Sequence, residues 1–230
     1  PPGEHDDRSL ACVLVPPAGS NFLSGMALDG EDYHDETLPY AEAGMVVVFY
    51  SIDGPEEVVP EDAEEGAISD AAQRSYEAFR NAHAGVVNGR NALEFVLQRL
   101  PAVNPEQIFS AGHSSAGTLS LLLASHEPRL AGAIAYAPGI DTQKIQGDLL
   151  ENSFATMVYP DLKRFLKQSS PITHVSKIEM PVFLFFAKDD TLVSLDRGNE
   201  FRFALSDRNL DATLRTVDSG GHYQSMINRG

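Results

Sequence analysis

The stretch IFSAGHSSAG, residues 108–117, decides how this sequence is read. Its first five residues form a β-type apolar run, and SAGTLSLLLASH carries on as a helix. A chain that passes from strand to helix this abruptly must turn sharply. The residues two before and two after the apex must be small, because the two backbones run close together there. With Ser114 at the apex those positions are Gly112 and Ala116. With Ser115 at the apex, His113 would fill the first crowded position. The register therefore selects Ser114 as the candidate nucleophile, although a serine at such a turn can also be a plain helix N-cap. Ser115 becomes the first residue of the helix, where its backbone N–H and the helix dipole favour a developing negative charge.

Outward from this turn, short apolar runs alternate with helical stretches. ACVLV (11–15), MVVVFY (45–50), IFSAG (108–112), AGAIAYA (131–137), PVFLFFA (181–187) and ATLRTV (212–217) read as strands. LPYAEAG reads as a helix end, 69–99 as one long helical zone, and DRGNEFRFALSD as a helix between the last two strands. Strands apolar throughout and separated by helices predict an α/β fold. The expected form is a mostly parallel, doubly wound sheet with helices on both faces. Ligands in such sheets bind beyond the carboxyl ends of the strands.

A serine nucleophile needs a base and a group to orient it. In a strand-to-helix elbow of this kind they follow in the order serine, acid, histidine. The turn after the fifth strand supplies Asp189 and Asp190; the spacing to Val193 prefers Asp190, with Asp189 as the alternative in an exposed turn. The turn after the last strand supplies His222, on a Gly220–Gly221 bend. His5, His34, His83, His126 and His174 fit the base less well by position, and His113 reads as a packing residue. A second oxyanion donor should come from PPAGSN, the turn after the first strand. Pro16 and Pro17 have no N–H, which points to Ala18.

Composition narrows the partners. The formal charge is −16, and no Lys or Arg stands between Arg8 and Arg74, a stretch with fourteen acidic residues. Nucleic acid and anionic membranes are poor partners for such a surface. The cluster PEEVVPEDAEEG (55–66) lacks the spacing of a calcium loop and reads as a solvated acidic loop. No apolar run approaches the roughly 20 residues that span a bilayer. One cysteine, Cys12 in an apolar run, excludes an internal disulfide framework. The opening PPGEHDDRSL has no signal-peptide pattern and starts abruptly, so a cytoplasmic chain, complete or trimmed, is the expectation.

These motifs resemble the α/β-hydrolase superfamily, most closely its prolyl-oligopeptidase-like and dienelactone-hydrolase-like branches, over nearly the whole chain. PPAGSN resembles the HGAGGN oxyanion loop, VNPEQIFSAGHSSAG the nucleophile elbow with its preceding strand, and SPITHVSKIEMPVFLFFAKDD the approach to the acid. The gaps of 76 residues from Ser114 to Asp190 and 32 from Asp190 to His222 suit the oligopeptidase-like branch. The resemblance implies a single catalytic domain over 1–230 with its first antiparallel strands reduced or missing. It also implies a Ser-His-Asp serine hydrolase without metal or organic cofactor. No β-propeller precedes the domain, so hydrolysis of a small to medium carboxylic ester is preferred to oligopeptidase or aminopeptidase activity. An acyltransferase and a non-catalytic binding module are the other classes the fold allows. The segment 141–168 follows the fourth strand, where this superfamily commonly inserts a cap. As a cap it would bring Phe154, Met157 and Tyr159 over Ser114 to limit acyl length; otherwise it is one helix packed on the sheet.

Overall fold

A computed structural model describes residues 8–28, 34–207 and 211–229. Six strands form one all-parallel sheet: β1 (Leu10–Val15), β2 (Val46–Phe49), β3 (Val103–His113), β4 (Gly132–Tyr136), β5 (Val182–Ala187) and β6 (Ala212–Val217), in the order β2-β1-β3-β4-β5-β6. β1 pairs on both edges, Cys12 lying opposite Val46 on one side and Ile108 on the other. Side chains alternate between the two faces. Cys12 and Leu14 enter the larger core cluster, and Val13 and Val15 the smaller one on the opposite face. Burial on both faces explains why the strand reads as an unbroken apolar run.

The chain runs from β1 outward to β2 and then back across β1 to β3. That reversal is the switch point of the sheet, and the crevice it opens lies beyond the carboxyl ends of β1 and β3. The predicted oxyanion turn and Ser114 are thus neighbours in space although about a hundred residues separate them.

Helices α1 (His34–Glu42), α2 (Glu65–Asn81) and α3 (Val86–Arg99) lie between β1 and β3, and α4 (Ser115–Ala124) follows β3. The expected single helical zone over 69–99 is two helices. His83, Ala84 and Gly85 all take positive φ and break it, and Gly85 offers the only local signal in the sequence. β3 begins earlier than expected, at Val103, and takes in Pro105. Every residue of α4 is buried.

The segment after β4 is not one helix. It holds four short ones: α5 (Thr142–Ile145), α6 (Gly147–Glu151), α7 (Ser153–Val158) and α8 (Leu162–Gln168). Asp141 caps α5 and Asn152 caps α7 through backbone N–H groups, which is why the segment breaks where it does. Then come α9 (Pro171–His174), a 3-10 turn (Val175–Lys177), α10 (Leu195–Ser206) and α11 (Gln224–Arg229).

Gly112 shows why the elbow needs small residues. A Cβ there would lie 2.5 Å from the carbonyl carbon of Ala116 and 2.7 Å from its Cβ. Gly112→Ala must push the strand away from the helix. We expect a loss of about 1–3 kcal/mol of stability, read by denaturant unfolding, as for other overpacked cores.

Candidate active site

Ser114 sits between β3 and α4 at φ 55° and ψ −122°, outside the ordinary wells of an L-residue. Such a conformation costs about 1–3 kcal/mol and must be held by its surroundings. Its N–H donates to Tyr136 O at 2.8 Å, and its carbonyl accepts from Thr118 N at 3.0 Å and from Thr118 Oγ1 at 3.2 Å. The backbone N–H of Ser115 follows at the positive end of α4, where the first amides lack helical partners.

The side chain of Ser115 has a task the sequence did not suggest. Its Oγ accepts hydrogen bonds from Gly19 N (2.9 Å) and Ser20 N (3.0 Å), which pins the turn after β1 against the elbow. Ala18, buried just ahead of these two amides, lies between the end of β1 and the pinned turn. Within the turn, Asn21 Oδ1 accepts from Leu23 N and Ser24 N, and Asn21 Nδ2 donates to Glu56 Oε1 at 2.8 Å. Gln146 Nε2 donates to Asn21 O at 2.8 Å and ties the segment after β4 to the same turn.

The loops after β5 and β6 bring the acid and the imidazole together. His222 Nδ1 lies 2.7 Å from Asp190 Oδ2, with the Asp190 side chain 0% exposed and that of His222 15% exposed. The other carboxylate oxygen, Oδ1, accepts from Leu192 N at 2.8 Å and Val193 N at 3.0 Å. A buried carboxylate with both oxygens occupied has one orientation. Asp189 is not the idle turn carboxylate expected of it. Its two oxygens accept from Gly220 N (3.1 Å) and Gly221 N (2.9 Å) and clamp the bend that carries His222. Gly220 holds φ 121°, and a Cβ there would meet the Ser225 backbone at 2.8 Å.

His113 packs, as expected, but against the candidate base. Its ring centroid lies 4.6 Å from that of His222, and its Nε2 is 2.8 Å from the His222 carbonyl oxygen. Glu36 Oε1 stands 3.7 Å from His113 Nδ1, both side chains being 5% exposed. Ser114 and His222 make no hydrogen bond to each other. Such contacts are often long before substrate binds. Cys12 is no competing nucleophile, since burial pushes its thiol up to about 12.

The three residues expected over the groove are placed differently from one another. Phe154 and Met157 on α7 are 48% and 70% exposed. Tyr159 is half-buried just past α7 and meets Tyr76 edge-on at 5.1 Å. Tyr76 in turn donates to Pro160 O at 2.8 Å. His126 lies two residues past α4 and His174 ends α9, both at the far end of α4 from the elbow, and His83 lies in the break between α2 and α3. His5 lies outside the described residues. No described helix is long and apolar enough to cross a membrane.

Solved structures with the same fold include the Pyrococcus horikoshii acylaminoacyl peptidase, at TM-score 0.69 and 19% identity over 97% of this chain and 35% of that one. An acetyl xylan esterase from Paenibacillus sp. R4 matches at TM-score 0.64 and 20% identity, over 96% of this chain and 72% of the other. A puromycin-hydrolyzing peptidase of Mycobacterium tuberculosis matches at TM-score 0.66 and 18% identity, over 100% and 33%. The chain spans about a third of the length of these peptidases. No curated protein sequence matches it. The profile of one family matches residues 40–223, which include the elbow, both aspartates and His222, and the chain belongs to that family, the dienelactone hydrolases of the α/β-hydrolase superfamily.

Proposed function

We propose that residues 1–230 act as one catalytic domain that hydrolyses a small to medium carboxylic ester through Ser114, His222 and Asp190. The buried Asp190 carboxylate, bonded to His222 beside a strained Ser114, is the observation that carries this reading. His222 Nε2 takes the proton of Ser114 Oγ as that oxygen attacks the ester carbonyl. Asp190 holds the proton on Nδ1 and stabilises the imidazolium. The N–H groups of Ser115 and Ala18 receive the negative oxygen of the tetrahedral intermediate. His222 then protonates the departing alcohol, and a water activated by the same imidazole releases the acid.

A fluorophosphonate probe followed by a panel of p-nitrophenyl esters of increasing acyl length and aminoacyl amides tests the proposal. Labelling at Ser114 with ester turnover is expected. Turnover of the amides alone would overturn the ester assignment, and transfer to an added alcohol in place of water would make the protein an acyltransferase.

Phe154 and Met157 are proposed to touch the acyl chain. Both are exposed, so Phe154→Ala and Met157→Ala should change stability by only about 0.5 kcal/mol. The same substitutions should shift preference toward longer acyl groups in the ester panel. Tyr159→Ala removes a packed ring, so its effect on chain length would be mixed with a loss of stability.

The acidic loop borders the proposed site, because Glu56 is bonded to Asn21 in the oxyanion turn. Its field should favour neutral or cationic esters. Matched esters with and without a carboxylate should differ most at low salt and converge as ionic strength rises, since exposed charges are screened over about 8–10 Å.

A further inference from the structure

A second cavity, of about 450 Å³, opens beside the far end of α4. A helix rises about 1.5 Å per residue, so it lies roughly 15 Å from Ser114 along that axis. Its wall is unlike the rest of the protein. Arg80 from α2, Arg164 from α8 and Lys177 from the 3-10 turn line it, together with His83, His126 and His174. Asp161 is the single acid among the lining residues. The chain as a whole carries 33 acidic and 17 basic residues, so this wall reverses the general balance. Among the other described cations Arg74, Arg90, Arg129, Lys144, Lys188 and Arg197 each pair with a carboxylate, and the six that do not are not gathered around a cavity of this size. Arg80, Arg164 and Lys177 pair with no carboxylate among the described residues, and Arg80 is held in place by donating to Pro160 O at 3.1 Å and lying over the Tyr76 ring.

The imidazoles are pre-arranged. His126 Nδ1 is 2.9 Å from Leu122 O, His174 Nε2 is 2.8 Å from Gln168 O, and the two rings meet edge-on at 4.8 Å. Each ring spends one N–H on a carbonyl oxygen, so its other nitrogen can donate to an anion only when the ring is protonated, which burial disfavours for His126; the anion contacts are therefore left to the three cations. The set is not a metal site, since no group of described His, Cys, Asp or Glu residues has that arrangement. The negative end of α4, worth about half a charge, opposes an anion here. Three full cations outweigh it.

We propose that this cavity binds a compact multivalent oxyanion, a phosphate ester or a polycarboxylate, at a site separate from the hydrolytic one. Its size suits a small organic molecule. Guanidinium and ammonium groups are the donors that oxyanions take, and Arg80, Arg164 and Lys177 bring three of them to one cavity. A protein of charge −16 repels anions in general, so saturable anion binding needs a local site of this kind.

The test is calorimetric titration with inorganic pyrophosphate and with citrate at constant ionic strength. Saturable one-to-one binding is expected, weakened about tenfold by Arg164→Gln and again by Lys177→Gln, because each removes a charge-assisted hydrogen bond. Both residues are exposed, and unchanged unfolding temperatures without ligand would verify that the variants fold. Tighter binding of pyrophosphate would assign phosphate esters, and tighter binding of citrate would assign polycarboxylates. Ser114→Ala should bind as the wild type does. Absence of saturable binding, undiminished binding in the double variant, or loss of binding in Ser114→Ala would overturn the proposal.

Discussion

Ser114→Ala is expected to abolish fluorophosphonate labelling and to lower ester turnover by several orders of magnitude, with the fold intact. In the proposed mechanism the serine supplies the attacking oxygen and almost nothing to packing, while its strained backbone is a cost that alanine shares. Ser115→Ala provides the contrast. It leaves the nucleophile in place but removes the acceptor for Gly19 N and Ser20 N. Two amides without a partner cost about 1–3 kcal/mol, and the turn that carries Ala18 loosens. Turnover should fall about tenfold to a hundredfold, in kcat more than in KM, because the turn is needed most when the oxyanion forms. Labelling should slow but persist. Labelling retained by Ser114→Ala and lost in Ser115→Ala would reverse the register drawn from Gly112 and Ala116.

The difference between these two serines marks how far the sequence could be read. The elbow register depends on residues within four positions of Ser114, and local sterics settle it. The strands were legible because burial on both faces of a parallel sheet leaves no polar positions, so ACVLV and PVFLFFA stand out as runs. Parallel pairing throughout puts the carboxyl ends of β1, β3, β5 and β6 on one side, and the candidate residues follow those ends. The Ser115 hydroxyl could not be read in the same way. Its partners are 95 and 96 residues away, and a hydroxyl carries no sign in sequence of which amide it meets. The break at 82–85 is hidden in the sequence, because apolar spacing continues across it and His83 and Ala84 are not residues that announce positive φ. Of the two readings of the segment after β4, the single helix fails for a related reason. Its apolar residues suit a helix, but side-chain caps at Asp141 and Asn152 cut it into pieces. His113 was read correctly as a packing residue, yet what it packs on, the ring and carbonyl of His222, depends on a contact across 109 residues.

The two neighbouring aspartates give the second large expected effect. Asp190→Asn should lower kcat about 10⁴-fold with little change in stability, because the amide can present its N–H to Nδ1 and hold the wrong imidazole tautomer. The Asn side chain can still accept from Leu192 N and Val193 N, so the loop itself should persist. Asp189 never meets the ring; it holds the bend beneath it. Asp189→Ala frees Gly220 N and Gly221 N, and the bend keeps its bonds to Ser225 while His222 keeps Asp190 and the His113 contact. A fall of about tenfold to a hundredfold in kcat is expected, from a ring that is correctly protonated but less often in place. Asp189→Asn keeps one amide acceptor and should recover much of that loss, which Asp190→Asn cannot do. The two positions therefore separate by their response to asparagine: a positioning residue tolerates it, and the residue that sets the tautomer does not. Equal losses in Asp189→Asn and Asp190→Asn would mean that the His222–Asp190 bond is not the one used in turnover.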